Sequence, residues 1–150
     1  MRCPFCNSNQ VIVSNSRTTA HDTQIWRRRK CLQCRKLFTT HEITDLKHLL
    51  IIKKSGHVEK YSRAKLFSSI YRAAISARQI DRVGVSEKVT ASVENIILGL
   101  NKKEVGTKEI AEITMKVLVK VNFGVFLRYL TYYIEIDNSV QLSREIIKFA

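Results

Sequence analysis

Four cysteines stand in two pairs, Cys3-Pro4-Phe5-Cys6 and Cys31-Leu32-Gln33-Cys34, with 24 residues between Cys6 and Cys31. A C-x-x-C pair can turn a knuckle that aims two sulfurs at one point. Two knuckles can then surround Zn²⁺ tetrahedrally with thiolates at about 2.3 Å. Two local disulfides or a redox C-x-x-C are the other chemistries open to such pairs. A redox pair belongs in a thioredoxin-like βαβ setting, which the flanking sequence lacks. Four thiolates close the coordination shell and leave no position for water, so one Zn²⁺ per chain would be structural rather than catalytic. The segment between the knuckles has few large apolar residues, and metal binding is expected to supply its folding energy.

Arg27-Arg28-Arg29-Lys30 leads straight into the second knuckle. Alternate side chains of a strand leave opposite faces, so two of the four would point each way. Guanidinium groups anchored beside a fixed knuckle suit bidentate contacts to phosphate or guanine. The competing reading is a solvated basic face that offsets the negative charge of a four-thiolate zinc centre. A pair of cations would suffice for that, whereas residues 1–46 hold eight Lys and Arg, Arg17 among them, against three acidic residues. Over the whole chain 26 Lys and Arg face 13 Asp and Glu, a formal charge of +13. Such a balance favours polyanions: nucleic acid, nucleotide phosphates or an acidic membrane face. No run of about 18 apolar residues is present to span a bilayer. Residues 1–6 lack the layout of a secretory signal, and clustered cysteines without one point to the cytoplasm and to metal.

The elements that must position these groups follow from periodicity. Residues 1–46 are polar and carry all the cysteines. Beyond them, 49–54 reads as a strand, Ser55-Gly56 as a turn and 57–61 as a returning strand. Ser62 is the expected N-cap of a helix that buries Leu66, Ile70, Ala73, Ala74 and Ala77. Ser86 is expected to cap a second helix with Val89, Val93, Ile96 and Ile97 inward, ending near Gly99. Thr107 is expected to cap a third with Ile110, Ile113, Val117 and Leu118 inward, and 123–136 forms the fourth. The expected fold class is α+β. A zinc ribbon of small β structure (1–46) precedes a short β-hairpin with about four helices (47–137), and the tail (138–150) is a candidate for one more helix. Lys53, Lys54, Lys60 and Lys65 gather around the Gly56 turn and a helix N-terminus, where backbone N–H groups and the macrodipole favour phosphate. Lysines flanking a turn are also ordinary solvated charges, and no Walker-type loop is present. His21, His41, His48 and His57 have no metal-ligand spacing, and no nucleophile stands paired with a base, so an enzyme is not expected.

Taken in order, the motifs resemble one family, the NrdR transcriptional repressors of ribonucleotide reductase genes. The first half contributes Cys3-Pro4-Phe5-Cys6, Ser16-Arg17, Arg27-Arg28-Arg29-Lys30-Cys31, Cys34 and Phe38-Thr39-Thr40-His41-Glu42. The second contributes Ile51-Ile52-Lys53-Lys54-Ser55-Gly56, Glu59, Lys65-Leu66, Ala73 and the trio Arg128, Thr131 and Tyr133, so that the resemblance covers roughly residues 1–136. This chain has Asn15 where the family usually has Asp, Trp26 for Arg, His41 for an aromatic, and Val58 and Lys60 for the Arg and Pro flanking Glu59. The resemblance implies a zinc ribbon that binds double-stranded operator DNA through Arg17, Arg27, Arg28, Arg29 and Lys30. It implies an ATP-cone in which Ile51, Lys53, Glu59, Lys65 and Tyr133, beside Lys54 and Gly56 of the turn, hold ATP or dATP with the lysines on phosphates. It further implies a cytoplasmic, nucleoid-associated bacterial homo-oligomer whose assembly follows the bound adenine nucleotide. An RNA-binding zinc-ribbon module and an enzyme are the rival classes, separable by strand preference and by an ATP hydrolysis assay.

Overall fold

The structure, a computed structural model, describes residues 1–18, 24–75, 80–134, 136 and 138–149. His21 and Ala77, both named above, lie outside the described residues. The chain divides into two compact units, Met1–Asp45 and Leu46–Ala150.

The first unit is a three-stranded antiparallel sheet of β1 (Val11–Thr18), β2 (Gln24–Cys31) and β3 (Leu37–Ile43), in that order. The basic run therefore lies on the central strand, with both edges of β2 hydrogen-bonded. The β1–β2 register shifts between Val13 and Asn15, leaving Ser14 as an extra residue. Its hydroxyl donates to the Arg28 carbonyl at 3.1 Å and fills the gap the bulge opens in the ladder. Ile12, Val13, Leu37 and Ile43 are exposed, and the buried apolar side chains among this unit's described residues are Cys3 and Cys31. A sheet whose apolar side chains are at most half-buried among the described residues, the cysteines apart, offsets little of its chain entropy by burial, which leaves the sulfurs to close it.

The second unit holds the hydrophobic core. β4 (Leu50–Ile52) pairs antiparallel with β5 (Val58–Lys60) and parallel with β6 (Glu104–Gly106). The hairpin turns where Gly56, at φ +80°, donates its N–H to the Lys53 carbonyl at 2.9 Å; the left-handed conformation is cheap only for glycine. The helices among the described residues are α1 (Arg63–Ala74), α2 (Arg82–Gly99), α3 (Thr107–Val121), α4 (Phe123–Tyr133) and α5 (Ser139–Ile147). α1 and α3 each pack against both α2 and α4. Their inward residues Ile70, Val89, Val93, Leu118, Phe126, Tyr129 and Leu130 are almost fully buried. Each large aliphatic or aromatic side chain so buried contributes about 1.5–3 kcal/mol before chain entropy is counted.

Four expectations are corrected by the structure. The hairpin is widened by β6, which was not foreseen: a three-residue strand leaves too little alternation to read. α2 begins at Arg82 rather than after Ser86, because the Asp81 carboxylate accepts the Gly84 N–H at 2.9 Å and caps it there. A Cβ at Gly84 would stand 2.2 Å from that carboxylate, so glycine is what lets the cap approach. Ser86 is instead an interior residue whose hydroxyl donates to the Arg82 carbonyl, and Ile96 of the same helix faces out. Thr107 is the first residue of α3, with Gly106 at the cap position. Among the described residues no helix is long and apolar enough to cross a membrane.

Candidate metal centre, nucleic-acid interface and nucleotide pocket

The two knuckles are built alike. Cys3 N–H donates to the Ser8 carbonyl at 2.8 Å and Cys31 N–H to the Lys36 carbonyl at 3.0 Å, five residues on in each case. The residue after each second cysteine, Asn7 or Arg35, takes a left-handed φ of 60° that folds the turn back. The knuckles bring Cys3 Sγ within 3.6 Å of Cys34 Sγ and Cys6 Sγ within 3.6 Å of Cys31 Sγ, with all four sulfurs inside 4.8 Å. A disulfide needs about 2.05 Å, so these are four free thiols. Bonds of about 2.3 Å to a tetrahedral Zn²⁺ place sulfurs about 3.8 Å apart, close to this spacing. Electrostatics asks for a cation too. The Cys34 backbone N–H, with help from the Cys6 thiol and against desolvation, brings Cys31 down to about 7. At Cys6 the Ser8 amide pulls the same way, but desolvation and the three other sulfurs outweigh it and push the thiol up to about 12. Four sulfurs this close cannot all ionise unless a positive charge sits among them. The donor set fits zinc.

On β2, Arg27 and Arg29 share one face and Trp26, Arg28 and Lys30 the other, as alternation requires. Arg27 Nη2 stands 3.0 Å from Glu42 Oε2, and Arg29 Nη2 stands 4.0 Å from Glu42 Oε1. Arg29 Nε also donates to Thr40 Oγ1 at 2.8 Å, and Arg28 Nη1 to Thr39 Oγ1 at 3.2 Å. Arg27 Nε is buried and makes no hydrogen bond among the described residues. Arg17 is exposed on β1, in register with Trp26, which pairs on its other side with His41. The five predicted cations are thus on one sheet but on both of its faces. β3 supplies polar partners in Thr39, Thr40 and Glu42, whose pairing with the arginines follows from the strand register.

In the second unit a cavity of about 230 Å³ opens between the small sheet and helices α1, α3 and α4. Ile51 of β4 and Lys53 just past its end line this side, and Glu59, in register with Ile51, joins them. Lys53 Nζ at 3.0 Å and Lys65 Nζ at 2.7 Å meet the same oxygen, Glu59 Oε2. These partners, Lys65 foremost, hold the Glu59 carboxyl below its ordinary value. Ser62, the N-cap of α1, makes no side-chain capping bond, and the first turn carries no acidic residue, so the positive end of the helix faces the cavity uncompensated. The apolar wall comes from Ile51, Leu66, Ile110, Ala111 and the tyrosines Tyr129 and Tyr133, whose rings stack 4.5 Å apart. Burial pushes Tyr129 above its usual range. Tyr61, which lines the cavity, donates its hydroxyl to buried Glu94 at 3.0 Å, and Arg63 holds the same carboxylate.

Of the residues named from the sequence, Ile51, Lys53, Glu59, Lys65 and Tyr133 line this cavity, while Lys54 and Gly56 stay exposed outside it. Arg128 and Thr131 also lie on the outer surface of α4, away from the cavity lining. Sequence reasoning missed Tyr61, Ser62, Leu66, Ser69, Thr107, Ile110, Ala111 and Tyr129 as lining residues. Two helical stripes were there to be read: 62, 65, 66 and 69 on α1, and 107, 110 and 111 on α3.

A four-cysteine ribbon with a basic central strand, followed by a small sheet and helices around a lysine-rimmed cavity, defines a class: zinc-ribbon proteins with an ATP cone. Residues 1–42 match the family described as "Transcriptional repressor NrdR-like, N-terminal domain", and residues 49–136 match the ATP cone domain. The chain is 32% identical to the transcriptional repressor NrdR of Finegoldia magna over 148 residues, covering 99% of this chain and 97% of that protein. It is 35% identical to the Chlamydia muridarum transcriptional repressor NrdR over 133 residues, or 89% and 86% of the two chains. The Chlamydia trachomatis serovar L2 repressor NrdR is 34% identical over the same length, at 89% and 84% coverage. The chain belongs to the NrdR family of transcriptional repressors, which are regulators rather than enzymes.

Proposed function

We propose that this protein represses ribonucleotide reductase genes by binding operator DNA, and that ATP or dATP in the cone sets its oligomeric state and its DNA affinity. The observation that carries the nucleotide half is the convergence of Lys53 and Lys65 on one carboxylate oxygen at the N-terminus of α1. Two ammonium groups and a helix dipole aimed at one point suit the oxygens of a triphosphate, and the apolar tyrosine wall beyond suits a base. Supporting the DNA half, the ribbon (1–46) carries Arg17, Arg27, Arg28, Arg29 and Lys30 on a sheet fixed by one structural Zn²⁺ on Cys3, Cys6, Cys31 and Cys34. Residues 47–137 form the nucleotide-binding cone, and 138–150 the tail. A nucleotide changes association only through different affinities for two assemblies. Paired ribbons then gain or lose avidity for paired sites. The protein acts in the bacterial cytoplasm at the nucleoid.

The test is duplex DNA from upstream of a ribonucleotide reductase gene, titrated with zinc-loaded protein in ATP, in dATP and without nucleotide. Coupling of the usual 1–3 kcal/mol separates the two nucleotides by about 5–150-fold. Equal affinity in all three conditions overturns the regulation, and no binding in any of them overturns repression at these genes.

A further inference from the structure

We propose that the knuckle end of the ribbon is a second polyanion-binding surface, where Arg2 and Arg35 take the sugar-phosphate backbone of double-stranded DNA beyond the part of the sheet where β2 presents its arginines. This rests on the reading of the ribbon as the DNA-binding unit.

An open concavity of about 580 Å³ lies at this end, lined by Arg2, Asn7, Ser8, Asn9, Gln10 and Gln33. All six are polar, one is a cation and none is an acid, so the surface offers amide and hydroxyl donors around a guanidinium. Arg2 precedes Cys3 and Arg35 follows Cys34, and those two sulfurs are 3.6 Å apart; both arginines therefore adjoin the metal cluster, Arg2 in the lining of the concavity and Arg35 exposed outside it. Arg35 is exposed and held at φ 60°, a conformation that costs a residue with a Cβ roughly 1–2 kcal/mol. The matching place in the first knuckle has Asn7, which tolerates that geometry better. The second knuckle thus keeps a cation where asparagine or glycine would be cheaper.

The charge distribution distinguishes this end from the middle of the sheet. Arg27 and Arg29 share Glu42, whereas Arg2, Lys30 and Arg35 have no acidic partner among the described residues. Glu42 pairs with Ile25, five positions along β2 from Lys30, which is about 17 Å of strand. Lys30, exposed at the end of β2 against Cys31, links the concavity to the arginine strand. An anion that engages both regions must be extended, and a duplex backbone is. The rival role for these cations is to offset the negative zinc–thiolate centre, and the test separates the two.

Full-length, zinc-loaded protein is titrated by fluorescence anisotropy against a mixed-sequence duplex of about 30 base pairs over a range of salt. Each lost phosphate contact lowers the slope of log K against log salt by about 0.9. Arg2→Ala with Arg35→Ala should lower it by about two, with zinc content unchanged. Arg2→Lys with Arg35→Lys should restore most of it, since a phosphate accepts either cation. An unchanged slope in the alanine pair, while Arg28→Ala lowers it, overturns the proposal. So does loss of zinc from the alanine pair, which would assign the charges to the metal cluster. Wild-type protein with no salt-dependent duplex binding overturns the DNA reading of the ribbon itself, and this surface with it.

Discussion

Removing Lys53 should weaken nucleotide binding more than removing Lys65, and the two losses should not add. Both ammonium groups meet Glu59 Oε2, at 3.0 Å for Lys53 and 2.7 Å for Lys65. A hydrogen bond to a charged group is worth about 1.5–3 kcal/mol when shielded from water. The Lys53 side chain is 40% exposed and the Lys65 side chain 64%, so solvent screening puts Lys53 near the lower end and Lys65 below it. That gives about 1.5 kcal/mol, or roughly tenfold, for Lys53→Ala, and about 1 kcal/mol, or roughly fivefold, for Lys65→Ala. In the double variant Glu59 faces the phosphates with no cation between them, so the loss should exceed the sum by about 0.5–1 kcal/mol. Calorimetric titration of the four zinc-loaded proteins with ATP and with dATP measures all of these terms. Unchanged affinity in both single variants would mean that the lysines serve Glu59 alone and that the phosphates lie elsewhere. Failure of the wild type to bind at millimolar nucleotide would make the cone an assembly module only.

Cys31→Ser should drop metal content below one zinc per chain and abolish DNA binding while the helical circular dichroism of the cone persists; full zinc and normal DNA binding would refute the ribbon as drawn. Arg28→Ala with Arg29→Ala should lower the salt slope of DNA binding by about two, whereas an unchanged slope moves the DNA surface off β2. Glu59 titrates below its ordinary value because Lys65 and Lys53 favour its charged form. Its contribution to stability is therefore fully present above about pH 4.5 and is lost as pH falls through the lowered folded value. Glu59→Gln should flatten that acid limb in thermal melts taken from neutral pH to about pH 3, and an unaltered limb would show the pairs to be inert.

What could be read ahead of the fold was what is local. Cys3, Cys6, Cys31 and Cys34 declare themselves by spacing, because a knuckle is a short-range turn. Lys53 and Lys65 were hinted at by the lysines around the Gly56 turn and singled out by resemblance: twelve positions apart, they meet because the end of β4 and the first turn of α1 both aim at Glu59. Lys54 stays outside the cavity by strand alternation, since the residue after Lys53 leaves the other side. Tyr129 and Thr107 were missed because the cavity is closed by α3 and α4, dozens of residues from the hairpin, and nothing local links them to it. Serine is a good cap and Ser86 invites that role, but Asp81 caps α2 because its carboxylate reaches Gly84, where no side chain blocks the approach.

The oligomeric mass of the zinc-loaded protein, measured by sedimentation in the apo state, with ATP and with dATP, tests the central claim most directly. If the cone is the sensor, the wild-type distributions in ATP and dATP differ, and in the Lys53→Ala, Lys65→Ala protein they coincide with the apo distribution. One mass for wild type under all three conditions would contradict nucleotide control of assembly.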